Sequence, residues 1–132
     1  MGRGAGKLCP RSRDDTAGVI EAEVAGMKVY KIVVYVPEAQ GDAVRAAMGA
    51  AGAGWIGNYD YCSFTVKGIG RFRPLAGANP TIGAVGRLEA VEEERIETVC
   101  AKDRLRDALQ AIRTAHPYEE PAIDVYPIEV IE

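Results

Sequence analysis

The sequence predicts an α+β domain, a ferredoxin-like plait in which an antiparallel sheet carries both helices on one face, with a hairpin and a long loop added. Three observations predict it. The elements run strand, helix, strand or hairpin, then strand, helix, strand, the order of two split βαβ units. Each helical stretch shows an apolar face at i, i+3, i+4 spacing, while the strands are β-branched and aromatic. The two halves also align at one constant offset, with Val44, Ala47 and Met48 matching Ala108, Ala111 and Ile112. A chain of 132 residues is one domain with a modest core.

Residues 1–26 are rich in Gly, Arg and Asp, lack a sustained period and read as a mobile tail, with an edge strand suggested over 19–24. The folded domain is expected over 27–132. Residues 29–36 form so continuous an apolar run that an interior strand is expected. Pro37 ends it, and Glu38 favours a helix start. From Glu38 to Ala51, Val44, Ala47, Met48 and Ala51 line one helical face, and Gly52 stops the helix. Gly52 to Gly57 spells Gly-x-Gly-x-x-Gly, but these glycines follow a helix and lead towards a strand. The dinucleotide fingerprint has the opposite order, so it does not apply.

Residues 61–66 alternate as a strand, and Lys67-Gly68 predicts a hairpin turn into a strand over 69–73. Residues 74–88 carry three glycines and two prolines without a period, and a loop this long is more often functional than not. A second long strand spans 90–100, a second helix 102–115 buries Leu105, Ala108, Leu109 and Ile112, and a last strand runs through Ile123, Val125 and Tyr126. Pro127 marks that strand as an edge or a bulge.

A net charge of −3 with scattered basic residues gives no polyanion-binding signature, so no nucleic-acid partner is expected. No run approaches the roughly 20 apolar residues of a membrane span, and the basic N-terminus has no apolar segment behind it, so no signal peptide is expected. Cys9, Cys62 and Cys100 are odd in number and far apart, as in reduced thiols of a cytoplasmic protein.

The clearest site candidate is His116-Pro117-Tyr118-Glu119-Glu120-Pro121, which holds the chain's one histidine at a helix-to-strand junction. His116 reads first as a structural joint at a helix C-terminus, and second as a metal ligand with Glu119 and Cys62. Tyr118 reads as packing with its hydroxyl at a rim. Glu119 and Glu120 are adjacent, so they point apart and do not form a catalytic pair. Asn58, Asp60 and Cys62 alternate with Tyr59 and Tyr61, which in a strand would make a pocket floor; the alternative is a turn followed by a small core residue. Lys67, Arg71 and Arg73, with nearby glycines and the loop around Asn79, suit either an anionic ligand or a solvated hairpin. The ligand-binding candidates are thus Asn58, Asp60, Arg73, Asn79, Glu97 and Tyr118. No nucleophile–base pair is visible.

Several motifs carry a family resemblance. They are residues 30–37, Gly54-x-Ile56-Gly57-Asn58-Tyr59-Asp60-x-Cys62-Ser63-Phe64, Gly70-x-Phe72-Arg73-Pro74, Gly77-Ala78-Asn79-Pro80-x-Ile82-Gly83, Arg95-Ile96-Glu97 and the His116 motif. Together they resemble the PII/CutA-like domain inserted in many bacterial members of the NGG-interacting-factor, or dinuclear-metal-centre, family, also labelled GTP cyclohydrolase 1 type 2 homologs. The resemblance implies the plait fold. CutA similarity implies divalent-cation tolerance and a trimeric homo-oligomer, and PII similarity implies small-molecule sensing between subunits. The family's metal centre lies in a surrounding domain whose histidines are not in this chain. The expectation is a non-enzymatic module that binds a divalent metal ion or small ligand at a subunit cleft. The alternatives are an accessory domain of a metal-dependent hydrolase or GTP cyclohydrolase-like protein, and a module docking on a separately encoded metal domain.

Overall fold

The structure is a computed structural model describing residues 23–24, 27–129 and 131. The tail expected over 1–26 lies outside the described residues, apart from a two-residue strand β1 (Glu23–Val24). Strand β2 (Met27–Pro37) leads through a 3₁₀ turn at Glu38–Gln40 into helix α1 (Gly41–Ala50). Then come β3 (Phe64–Phe72), β4 (Glu89–Ala101), α2 (Lys102–Ala115) and β5 (Ala122–Ile128). The four long strands lie in the order β5–β2–β4–β3 with every neighbour antiparallel, and β1 pairs with the start of β2.

The β2 pattern explains why it sits in the middle. Tyr30, Ile32, Val34 and Val36 face the helices and are all fully buried, and Val33 on the opposite face is buried as well. Ile96 and Cys100 of β4 complete the sheet side of the core, against Val44 and Met48 of α1 and Ala108 and Ile112 of α2. Four of the six helical residues aligned by sequence thus lie in the core, joined by Leu105, while Ala47 and Ala111 are half-buried. Side chains of this size contribute roughly 1.5–3 kcal/mol each when fully buried.

Helix α1 ends as glycine predicts. Gly52 takes φ +105°, its N–H donates to Gly49 O, and Ala53 N–H donates to Met48 O, both at 3.1 Å. This is the Schellman pattern, with Ala53 buried beyond it. Helix α2 starts one residue after β4 and stops at His116, whose backbone leaves helical geometry just before Pro117. Pro127 stands within β5 opposite Tyr30; β5 is an edge strand, where a missing N–H donor is tolerated.

Two expectations are corrected. Lys67-Gly68 makes no turn: β3 is one strand that pairs with β4 from Phe64↔Glu97 to Phe72↔Glu89 without a break. Residues 58–62 are not a strand either. Ile56 and Tyr59 exchange both backbone hydrogen bonds at 2.9 Å around Gly57-Asn58, and Tyr61 takes φ +57°. Asn58 and its neighbours therefore shape a turn, the alternative that the sequence left open.

Candidate functional site

Helix α2 delivers His116 to the end of the sheet where β2 finishes. The imidazole is buried; its Nε2 lies 2.7 Å from the Tyr35 carbonyl oxygen, and its Nδ1 accepts the Tyr118 N–H at 3.1 Å. A ring nitrogen that accepts a backbone N–H carries no proton, so Nε2 is the protonated nitrogen and donates to Tyr35. Burial pushes the His116 pKa down, opposed in part by the bond to Tyr35. The ring is therefore held neutral and pins the helix end to β2.

Tyr118 continues the joint. Its ring stands 5.1 Å from His116 and 6.0 Å from Phe72, and its hydroxyl donates to Glu93 Oε2 at 2.9 Å. Burial first, and the Glu93 carboxylate second, push its pKa far up, so it stays a donor. Glu119 accepts the Asn79 N–H at 2.9 Å, and the Thr81 hydroxyl donates to Pro117 O at 2.7 Å. Residues 73–88 therefore form a loop fastened to the motif after α2. Its base is closed by the Gly86 N–H donating to Pro74 O at 2.8 Å.

The remaining candidates lie elsewhere. The segment with Asn58, Asp60 and Cys62 is anchored where β4 ends, through Gly54 N–H to Val99 O at 2.7 Å and Thr98 hydroxyl to Cys62 O at 2.8 Å. Asn58 and Asp60 are exposed, and the half-buried Cys62 thiol reaches only the Asp60 carbonyl, at 3.8 Å. Along β4, Glu93 and Val99 are separated by roughly 20 Å at strand rise. One chain thus brings together Tyr118, Glu119 and Asn79, with His116 behind them, and leaves Asn58, Asp60 and Cys62 at the far end.

The metal set His116, Glu119 and Cys62 is not assembled. Both histidine nitrogens serve backbone groups, Glu119 serves Asn79, and among the described residues no three His, Cys, Asp or Glu side chains cluster as metal ligands. The donor set does not fit a dinuclear centre.

The sheet face away from the helices holds the other candidates. Glu97 pairs with Lys31 at 3.7 Å and Arg95 at 3.1 Å, and Arg95 leans over the Tyr35 ring at 6.0 Å. Arg73 is exposed just past β3, and Lys67, opposite Glu94 on the helix side of β3, reaches Glu38 at 3.8 Å. On the helix-free face lies a hollow of about 230 Å³ lined by Tyr35, Val66, Gly68, Gly70, Glu93 and Arg95.

Sequence reasoning missed two acids. Glu93 and Glu94 are both buried, on opposite faces of β4. Glu94 accepts Arg45 Nη1 at 2.7 Å on the helix side, where Arg45 also meets Asp42 at 2.7 Å and Thr65 at 3.0 Å. The available signal was glycine. A Cβ at Gly41 would collide with the Glu94 carboxylate, and one at Gly70 with that of Glu93, so each glycine makes room for an acid.

No family model matches the chain. It is 48% identical over 118 residues to the GTP cyclohydrolase 1 type 2 homolog of Halalkalibacterium halodurans, an alignment covering 86% of this chain and 32% of that one. The homolog of that description from Bacillus subtilis is 52% identical over 99 residues, covering 75% of this chain and 26% of its own. Among solved structures, a Bacillus cereus protein related to NIF3 superposes with TM-score 0.69 and 46% identity over 81% of this chain and 27% of that chain. The periplasmic divalent cation tolerance protein CutA from Archaeoglobus fulgidus superposes with TM-score 0.58 at 15% identity, over 79% of this chain and 87% of that one, which shows the fold alone. Among the described residues no helix is long and apolar enough to cross a membrane. The chain belongs, as a CutA/PII-like segment, to the NIF3-related family of GTP cyclohydrolase 1 type 2 homologs, and it spans about a third or less of the length of the relatives from that family.

Proposed function

We propose that this segment is a non-enzymatic sensing or regulatory module that binds a small ligand in a cleft completed by a second copy of itself. The observation that carries the reading is the division of its polar candidates between the two ends of the sheet. A small ligand does not span roughly 20 Å within one chain. Two copies meeting across the helix-free face would set unlike ends side by side. Phe64 at 66% exposure, Val66 at 49% and Tyr126 at 43% give that face the apolar character an interface needs. The resemblance to CutA and PII favours a trimer.

Sedimentation velocity tests the assembly. A species larger than the monomer is expected, and Phe64→Asp should shift it to the monomer; wild-type protein that stays monomeric at all concentrations sinks the reading. A divalent ion as ligand requires the His116 ring to leave both its backbone partners. Calorimetry on metal-free protein decides this: binding heat abolished by His116→Ala supports an ion, and absence of heat leaves an organic ligand.

A second reading, docking on a polypeptide that carries the rest of the relatives' sequence, draws support from Trp55, Ile56 and Tyr59. All three are more than half exposed on the short hairpin around Gly57-Asn58. Co-purification with such a chain, lost on Trp55→Ala, is the corresponding test.

A further inference from the structure

The hollow on the helix-free face has an unusual construction. At Gly68 and Gly70 the strand β3 presents no side chain towards that face, and the sheet is left bare between Val66 and Phe72. The space so opened is partly taken by Glu93. Its Oε1 lies where a Gly70 Cβ would stand, and its Oε2 accepts the Tyr118 hydroxyl. The residue is only 8% exposed, and among the described residues Oε1 has no hydrogen-bond partner. That oxygen is not sealed in the core but open to the hollow, so a donor group entering there finds an acceptor whose contact with water is already small.

The other charges on the rim are already matched. Arg95 pairs with Glu97 at 3.1 Å, and Lys67 lies 3.8 Å from Glu38. Glu93 is therefore the one charge in the hollow that no opposite charge meets among the described residues. Tyr35 lines the hollow with its ring already covered by Arg95 at 6.0 Å, and Tyr118, outside that lining, binds the carboxylate from behind. A nearly buried carboxylate with one acceptor oxygen free is the chemistry that receives an organic cation, by a charge-assisted hydrogen bond. The volume of about 230 Å³ falls below the roughly 300 Å³ at which drug-sized sites begin, which suits one side-chain-sized group.

We infer that this hollow is a binding site for an alkyl-guanidinium or alkyl-ammonium group, held by Glu93 over the Gly68–Gly70 floor. The site is built from one chain and does not rest on the assembly proposed above. The cation has two possible sources, a free small molecule or an arginine or lysine side chain of a second copy. Tyr118 fixes the carboxylate from behind, leaving Oε1 for the ligand.

The test uses the full chain labelled with ¹⁵N, titrated with butylguanidinium, butylammonium and the neutral isostere butylurea. Both cations should shift the Gly68 and Gly70 amides saturably, and butylurea should not. Glu93→Gln keeps an acceptor for Tyr118 and should weaken cation binding by about tenfold or more. Gly68→Val fills the floor without a collision, because nothing lies within 4 Å of a Cβ there, and it should abolish binding in a folded protein. It carries the test even if the Glu93 variant fails to fold.

If the source is a free molecule, the cations bind without changing the sedimentation coefficient. If the source is another copy's side chain, the cations dissociate the assembly, and Glu93→Gln sediments as the smaller species. Cations that neither shift these amides nor alter the assembly, or that bind Gly68→Val as tightly as wild type, overturn the proposal.

Discussion

At the scale of single residues, the most consequential side chain is His116, and its role is that of a joint. Removing it with His116→Ala takes a donor from the Tyr35 carbonyl and the acceptor from the Tyr118 N–H, an expected loss of about 2 kcal/mol in urea denaturation. Its pKa is lowered by burial from the ordinary 6.5, so the unfolded chain takes up the proton first as the pH falls. The histidine's contribution is thus present in full above about pH 6.5 and is lost as the pH drops from there through the depressed folded value. His116→Gln, which retains a donor for Tyr35 and does not titrate, should flatten that part of the stability–pH curve measured from pH 8 to 5. Glu94 makes the complementary case. Arg45→Met strands a carboxylate that is 7% exposed, and a destabilisation of about 2–3 kcal/mol is expected by thermal or denaturant unfolding. The figure is kept below that of a fully buried pair because the Arg45 side chain is 27% exposed.

At the scale of elements, the loop over residues 73–88 behaves as a strap fastened at two points to the segment after α2. Both points are exposed, so the double variant Glu119→Ala/Thr81→Ala should change global stability by less than about 1 kcal/mol. It should instead accelerate amide exchange around Asn79, readable by mass spectrometry, while the exchange of β2 stays unchanged. The elements legible in the sequence were those whose burial is written as a period. Tyr30, Ile32, Val34 and Val36 announce β2, and Val44 with Met48 announces α1 to within a few residues. Lys67-Gly68 misled because glycine there serves a bare sheet surface rather than a turn, and a single strand carries no mark that tells the two apart. At Asn58, Asp60 and Cys62 the sequence left two readings open, since alternation over five residues fits a turn as well as a strand. Of the site, the joint at His116 was legible from Pro117 and the helix before it. Glu93 and Glu94 were not, because Glu92-Glu93-Glu94 reads as a solvated run. The groups that meet its two buried members, Tyr118 and Arg45, lie 25 and 49 positions away.

For the whole molecule, the two faces of the sheet have different consequences. The helix side is sealed by apolar packing, whereas the other side alternates apolar patches with the Lys31–Glu97–Arg95 ion pairs. Such exposed pairs add little stability, but across an interface they fix which register two copies adopt. The strand order itself sets how the chain must fold. Strand β2 lies between β4 and β5, so Val33 waits for Glu97, 64 positions on, and for Asp124, 91 positions on. Local pairing cannot cover the most apolar strand early, and closing such long loops costs entropy before any contact repays it. Folding on the order of milliseconds to seconds is the regime of such non-local topologies. During that interval an uncovered Val-Tyr-Lys-Ile-Val-Val-Tyr-Val segment is a ready template for intermolecular pairing, which makes yield during synthesis, more than final stability, the quantity most sensitive to substitutions in β4 and β5.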